Sequence, residues 1–533
     1  MDAVLQLDRD VSTTLASIRE WENAFVPVNR IPTDILSLIP THLSSQKDRF
    51  RAASVCRHWR GALLKRGALW SQLFLKKGEE YVSTLLERAK GSELDIVTGH
   101  NAPLGTIALV SPHAQQIVYL EFVFNTWQDI IAFSESNSGQ LPLLRALKIS
   151  PDGRYNQSIV VTPPSLPLFR GSVNLQKFVL HSWTHSSLSY FVLPNLTTFE
   201  LMSLGSDKCN ASCLLNFLEA SPTLQMVEIR VGATFVLESI PQEMVVILPN
   251  VKTFSLHVRA VCGDVPQVYD IAAHISCPRA EYTSLMNEMY GVDMSAGQEA
   301  SPTPALWNTI VHQYSANPVE EITLDLKPSW RMQTNCFLTF QSSGETVVKL
   351  DFKVHEEGAG RDNSDRSVAE IGWETFSQAL KTIRNHPLLS HVKRLHIKLD
   401  DSEPMYNTHE MPGVVGEVRK LFGSLGPLDK LTIDSCDLRV FLANFLDNPG
   451  PDRLEQPIVF PQIKQFTILH PMLMEQEHVE AIAELAKSQH SLGIPFERMI
   501  VRIWSIPEGV AEKLEPWVGE ADCSQWCVEG EDL

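Results

Sequence analysis

The chain has 533 residues, 44% of them hydrophobic and 20% charged, with a formal net charge of −18. That length exceeds what one hydrophobic core sustains, so two or more domains or an elongated repeat array are expected, folded rather than disordered. The acidic excess argues against a nucleic-acid binder, which needs a basic surface to neutralise phosphates.

No run reaches the roughly 18 to 20 apolar residues of a membrane span, and Asp2, Asp8, Arg9 and Asp10 do not make the basic-then-apolar start of a signal peptide. An intracellular protein, cytoplasmic and/or nuclear and without a membrane partner, is expected, its nine cysteines reduced. Asn156, Asn195 and Asn210 begin Asn-x-Ser/Thr triplets and read as loop residues. The charge is unevenly spread. Residues 26–77 hold ten Lys/Arg against two Asp/Glu. This segment reads either as a solvated helix face or, more sharply, as a docking face for an acidic partner.

From the N-terminus, Leu7, Val11, Leu15, Ile18, Trp21 and Phe25 follow one another at steps of three or four, predicting an amphipathic helix that Pro27 ends. Packing on its own protein outweighs a separate dimerisation coil, which needs three or four sustained heptads. Ile31 and Pro32 then open a second helix, with Pro32 suited to its first position and Asp34 to its positive end. Ile35, Leu36, Ile39 and Leu43 share a face, and Pro40 stops or kinks the helix near Ile39. Another helical run from about Asp48 carries Val55, Cys56, Trp59 and Leu63, and Leu69, Trp70 and Leu73 close the module. Three short helices in fewer than fifty residues make a marginal core that a partner or neighbouring domain would stabilise.

These residues resemble the F-box family: Ile31-Pro32, Asp34, Ile35-Leu36, Ile39 and Leu43, then Val55-Cys56-Arg57-His58-Trp59-Arg60 and Leu69-Trp70. Asp34 stands where Glu is commoner in that family. The resemblance implies that residues 29–77 bind a Skp-type adaptor and, through it, a cullin. Ile31, Pro32, Ile35, Leu36, Ile39, Val55, Trp59 and Trp70 are the candidate adaptor contacts, with Lys47, Arg49, Arg51, Arg57 and Arg60 speeding association.

After residue 90 one phrase recurs: apolar, two variable positions, apolar, one variable, apolar. Eleven clear copies run from Ile117-Leu120-Phe122 to Ile463-Phe466-Ile468, with weaker echoes at Ala280-Thr283-Leu285 and Phe496-Met499-Val501. Turns such as Leu193-Pro194-Asn195 and Leu248-Pro249-Asn250 introduce several of them, and starts lie 21 to 45 residues apart. Such a grammar is a repeat architecture: each phrase a strand, with room for a helix before the next, as over 211–220 and 375–383. The expected fold is α/β, a helical F-box followed over 78–507 by an irregular solenoid with a parallel sheet inside and helices outside. It resembles leucine-rich repeats, although only Leu428-Leu431-Ile433-Cys436-Leu438 completes the longer form, and the combination resembles fungal F-box domain-containing proteins.

Residues 1–28 form the N-terminal helix, 356–367 and 400–413 read as long loops, and 508–533 as an acidic tail whose aromatic part caps the last repeat. Cys209/Cys213 and Cys523/Cys527 lack a second metal-binding pair, and His181 with His185 lacks the helix and Glu of a zinc-protease motif. Neither a metal, a cofactor nor a catalytic residue is expected; an adaptor contributes proximity. An unknown protein target is expected on the strand face opposite the core, with Glu321, Asp351, Arg394, His396 and Lys398 as candidate contacts. Two functions fit: a substrate receptor of a ubiquitin ligase, or a ubiquitin-independent scaffold.

Overall fold

A computed structural model describes residues 2–43, 45–99, 102, 104–124, 127–137, 141–151, 168–169, 172–181, 187–203, 211–231, 244–261, 271–272, 274–290, 319–329, 333–342, 345–355, 380–381, 384, 387–399, 412–435, 462–473, 476–505 and 509–525. The chain forms two compact units, Met1–His181 with Tyr190–Leu196, and Ser182–Ser189 with Thr197–Leu533.

The first unit opens with α1 (Asp2–Ala24), followed by α2 (Thr33–Leu38), α3 (Gln46–Ala53) and α4 (Arg57–Leu64). The α1 stripe faces solvent from Val4 to Phe25 and does not pack on its own protein as expected. Pro32 caps α2 rather than occupying its first turn, its carbonyl accepting from Leu36 N at 2.8 Å. Regular helix stops at Leu38, and Ile39–His42 tightens into a 3-10 turn around Pro40, which has no amide hydrogen to continue the helix.

The single run expected from Asp48 is two helices. Cys56 is extended (φ −157°, ψ 174°) and restarts the chain as α4, so Val55 sits in the break. Ser45 begins α3: its Oγ accepts from Asp48 N at 3.1 Å and donates to Asp48 Oδ2 at 2.6 Å, a reciprocal cap. The third apolar group is a 3-10 turn, Gly67–Leu69, and strand β1 (Gln72–Phe74), not a helix.

β1 starts a parallel series with β2 (Leu94–Val97), β3 (Ile117–Phe124), β4 (Ala146–Pro151) and β5 (Lys177–His181), each paired to the next. Crossovers carry α5 (Glu79–Ala89), α6 (Leu104–Val110) and α7 (Trp127–Ser136). Parallel neighbours require such crossovers because the chain must return to the same end before each strand.

The second unit contains β6 (Thr198–Ser203), α8 (Ala211–Glu219), β7 (Met226–Val231), β8 (Val246–Ile247), β9 (Thr253–Val261), β10 (Ile275–Ser276) and β11 (Tyr282–Tyr290). After them come β12 (Glu321–Ser329), β13 (Gln333–Ser342), β14 (Glu345–His355), β15 (Arg394–Leu399), α9 (Pro412–Ser424), β16 (Leu428–Ser435) and β17 (Ile463–Leu473). The described part ends in α10 (Gln476–Ser491), β18 (Arg498–Ser505), α11 (Val510–Leu514) and β19 (Glu520–Gln525).

The strands of this unit pair in the order β6-β7-β9-β11-β14-β13-β12-β15-β16-β17-β18-β19, with β8 and β10 as a separate pair. The sheet is not uniformly parallel. β13 runs antiparallel to both β12 and β14, so the phrases at 319 and 347 are separated by a strand absent from the expected series. The segment drawn as an acidic tail is folded as far as residue 525: Val510 and Leu514 are buried, and β19 pairs in parallel with β18.

The phrase positions are the core. Leu144, Leu147 and Ile149, Leu196, Phe199 and Leu201, Leu428, Leu431 and Ile433, and Ile463, Phe466 and Ile468 are all buried. The turns before the strands carry an unexpected amide ladder. Asn174 Nδ2 donates to Pro142 O at 2.7 Å, Asn195 to Val173 O at 2.8 Å and Asn250 to Pro222 O at 3.0 Å, each bonding the preceding turn. The predicted helix over 211–220 is α8; of that over 375–383 only Leu380 and Lys381 are described, both helical. The loop at 356–367, most of that at 400–413, Cys436, Leu438 and Trp526 lie outside the described residues.

Candidate functional site

Two surfaces bear on function, one in each unit. In the first, the helices sort the candidate residues by burial. Ile35 and Val55 are 51% and 60% exposed, Ile39 and Leu38 are also exposed, Pro32 lies open at the head of α2, and Ile31 and Trp59 are half-buried. Leu38 was missed, although its place three residues after Ile35 puts it on the same helical face. Four large aliphatic side chains thus face water in one small module.

Leu36 and Trp70 correct the expected contact set, because both are fully buried. Leu36 is enclosed where α2 packs against α4, whose Ala62 and Leu63 are buried as well. The Trp70 indole donates to Leu63 O at 3.0 Å and packs 5.2 Å from Phe50, with the Arg88 guanidinium 5.1 Å above its ring. Arg88 belongs to α5, as do Tyr81, whose hydroxyl bonds Gln46, and buried Val82 and Leu85. The helical module therefore finds its stabilising neighbour in the next helix of its own chain. Gly67 permits the join: a Cβ there would strike Ala89 O at the end of α5.

The basic residues are mostly engaged within this unit. Arg49 Nε donates to Leu43 O at 3.3 Å, Arg60 Nε to Ala53 O at 3.2 Å, Arg51 pairs with Asp48 at 3.0 Å and Arg57 with Glu20 of α1 at 2.9 Å. The hydrogen bond from Ser45, followed by that from Arg51, holds the Asp48 carboxyl below its ordinary range.

Residues 28–76 match the F-box-like family. The module is an F-box-like domain. A search of the curated proteins finds no match to this chain. The match ends just before α5, so the F-box core of this protein extends beyond the F-box itself.

In the second unit, Arg394, His396 and Lys398 alternate with buried Leu395 and Ile397 and so lie on the face opposite the core. Register aligns them into rows: Glu321, Arg394, Lys430, Gln465 and Arg498 in one, Thr323, His396, Thr432 and Thr467 in the next, and Asp325, Lys398, Asp434 and Leu469 in the third. Arg394 pairs with Glu321 at 3.0 Å and Glu320 at 3.8 Å, and Lys398 lies 3.9 Å from Asp434. Thr432 and Thr467 in the middle row are buried, so a partner would meet chiefly the charged rows on either side. Asp351 belongs elsewhere on the sheet, its backbone in register with Met286 and Phe337. The structure thus brings Glu321, Arg394, His396 and Lys398 onto adjacent strands and leaves Asp351 apart from them.

Among the described residues, no three His, Cys, Asp or Glu side chains cluster as metal ligands do, and no helix is long and apolar enough to cross a membrane. His181 Nδ1 lies 3.1 Å from Ser150 Oγ, while His185, Cys209 and Cys527 fall outside the described residues. Burial pushes the Cys277 thiol up to about 12, and burial with the Asp522 charge raises that of Cys523. Both stay protonated, which makes them poor ligands and nucleophiles.

Proposed function

We propose that the chain is the substrate-recognition subunit of an SCF-type, cullin-RING ubiquitin ligase. The F-box docks a Skp-type adaptor, which links it to a cullin, and the strand-built region holds a protein target. One observation carries the reading: the F-box-like segment presents Ile35, Leu38, Ile39 and Val55 to solvent while its own core is filled by Leu36, Leu63 and Trp70. Apolar side chains left over from a complete core are available for a partner. Exposed Pro32 and half-buried Trp59 are the further adaptor contacts in this reading.

The parallel strands and their crossovers support a divergent leucine-rich-repeat-like solenoid, from which antiparallel β13 departs. Its charged rows, with Glu321, Arg394, His396 and Lys398 and, farther along, Asp351, form the target face. The protein contributes no catalytic group: it raises the local concentration of target near chemistry carried by other subunits, in the cytoplasm and/or nucleus.

The test mixes the purified full chain with a purified Skp-type adaptor and cullin. A complex containing all three supports the ligase reading. Adaptor bound without cullin favours a ubiquitin-independent scaffold, and failure to bind adaptor defeats both.

A further inference from the structure

α1 carries an apolar face that its own unit does not use. Exposure runs from 48% at Ile18 to 70% at Val4, and Leu7, Val11, Leu15, Trp21 and Phe25 fall between. The spacing is heptadic. With Val4 at position a, the a positions within α1 are Val4, Val11 and Ile18 and the d positions are Leu7, Thr14 and Trp21, an unbroken alternation of three and four along the helix, and Phe25 follows in step just past its end. Thr14 does not interrupt it, because its hydroxyl donates to Asp10 O at 2.8 Å within the helix and leaves its methyl group for the seam. Trp21 and Phe25 already meet edge to face at 4.8 Å. The rest of the unit attaches off this seam: Glu20, at position c, holds Arg57 of the F-box at 2.9 Å.

We infer that α1 pairs with α1 of a second copy of this chain as a parallel, two-stranded coiled coil. β-Branched Val4, Val11 and Ile18 at a, with Leu7 at d, favour two strands over three or four. Covering this stripe in both copies removes on the order of 1,000 Å² of surface, the size at which an interface becomes specific. The flanks do not oppose it. In a parallel pair the g position of one helix faces the next e position of the other, so Asp10 meets Leu15 and Ser17 meets Glu22, and no like charges are juxtaposed. The seam shares no residue with Ile35, Leu38, Ile39 and Val55 of the F-box, so the inference does not rest on the adaptor reading.

Sedimentation equilibrium of the full chain at micromolar concentration, without adaptor, tests this. The expected mass is twice that of one chain. Val11→Lys/Ile18→Lys should return the single-chain mass with an unchanged circular dichroism spectrum, because both side chains face water within one copy. Arg9→Glu/Thr13→Lys, at positions f and c, should stay dimeric. Leu7→Cys should close a disulfide between copies under mild oxidation, and the unsubstituted chain should not. A single-chain mass for the unsubstituted protein, or a dimer that survives the seam substitutions, overturns the inference. So does a monomer whose α1 becomes protected only when a Skp-type adaptor is added, since the adaptor would then be the occupant. Adaptor binding is measured separately on the seam variant, so that either claim can fail alone.

Discussion

At the scale of single residues, burial divides the F-box into side chains that build it and side chains that it presents. Trp70 is fully buried under Arg88, and Trp70→Ala should cost about 3–5 kcal/mol, read as a large fall in the urea midpoint of the full chain. Ile35 is half-exposed, and Ile35→Asp should change the stability by less than about 0.5 kcal/mol and leave that midpoint nearly in place. Comparable losses from the two would place Ile35 in the core. Ser45→Ala removes both halves of the reciprocal α3 cap and should cost about 1 kcal/mol. The same cap has a pH signature. The Asp48 carboxyl lies below its ordinary 3.8 in the folded protein, so its contribution is present above that value and is lost as the pH falls through the lower, folded value. The difference between Ser45→Ala and the unsubstituted protein should therefore narrow in acid, and a constant difference down to the acid transition would contradict the assignment.

At the scale of elements, the strands were legible because the phrase repeats an alternation whose apolar positions lie inside in the clear copies whose burial is described. Ile463, Phe466 and Ile468 are typical, and Phe466 stacks on Phe496 of the next phrase at 5.1 Å. Phe466→Ala should cost about 3–5 kcal/mol, and thermal unfolding that moved little would mean the phrase is not core. β13 escaped notice because it lacks the phrase: Gln333, Thr334 and Asn335 open it, and only its antiparallel register between β12 and β14 makes it a strand. The asparagine ladder was hidden for another reason. Asn195 and Asn250 read as ordinary turn residues and Asn174 drew no notice until the structure sets each beside the previous turn. The break between α3 and α4 was equally silent, because Val55, Cys56 and Trp59 keep helical spacing across a residue that is not helical. In α1 the stripe was legible and its partner was not, since spacing gives a face and says nothing of what covers it.

At the scale of the molecule, a net charge of −18 surrounds one basic segment. Ion pairing of Arg51 and Arg57 narrows local contacts but leaves the field of the segment, which acts at a distance screened within about 10 Å at 0.1 M salt. Association with an acidic adaptor should slow several-fold between low and physiological salt, and Lys47→Glu/Arg51→Glu should flatten that dependence. A salt-independent rate in stopped flow would assign the basic residues to the F-box structure alone, as Arg49 and Arg60 already are by their backbone bonds. The exposed F-box face bears most directly on function. Titration calorimetry of a Skp-type adaptor against the full chain and against folded Ile35→Asp/Val55→Asp tests it directly. The account predicts binding by the first and at least about a hundredfold weaker binding by the second, the range of a hot spot; equal affinity for both, with unchanged circular dichroism, would contradict it.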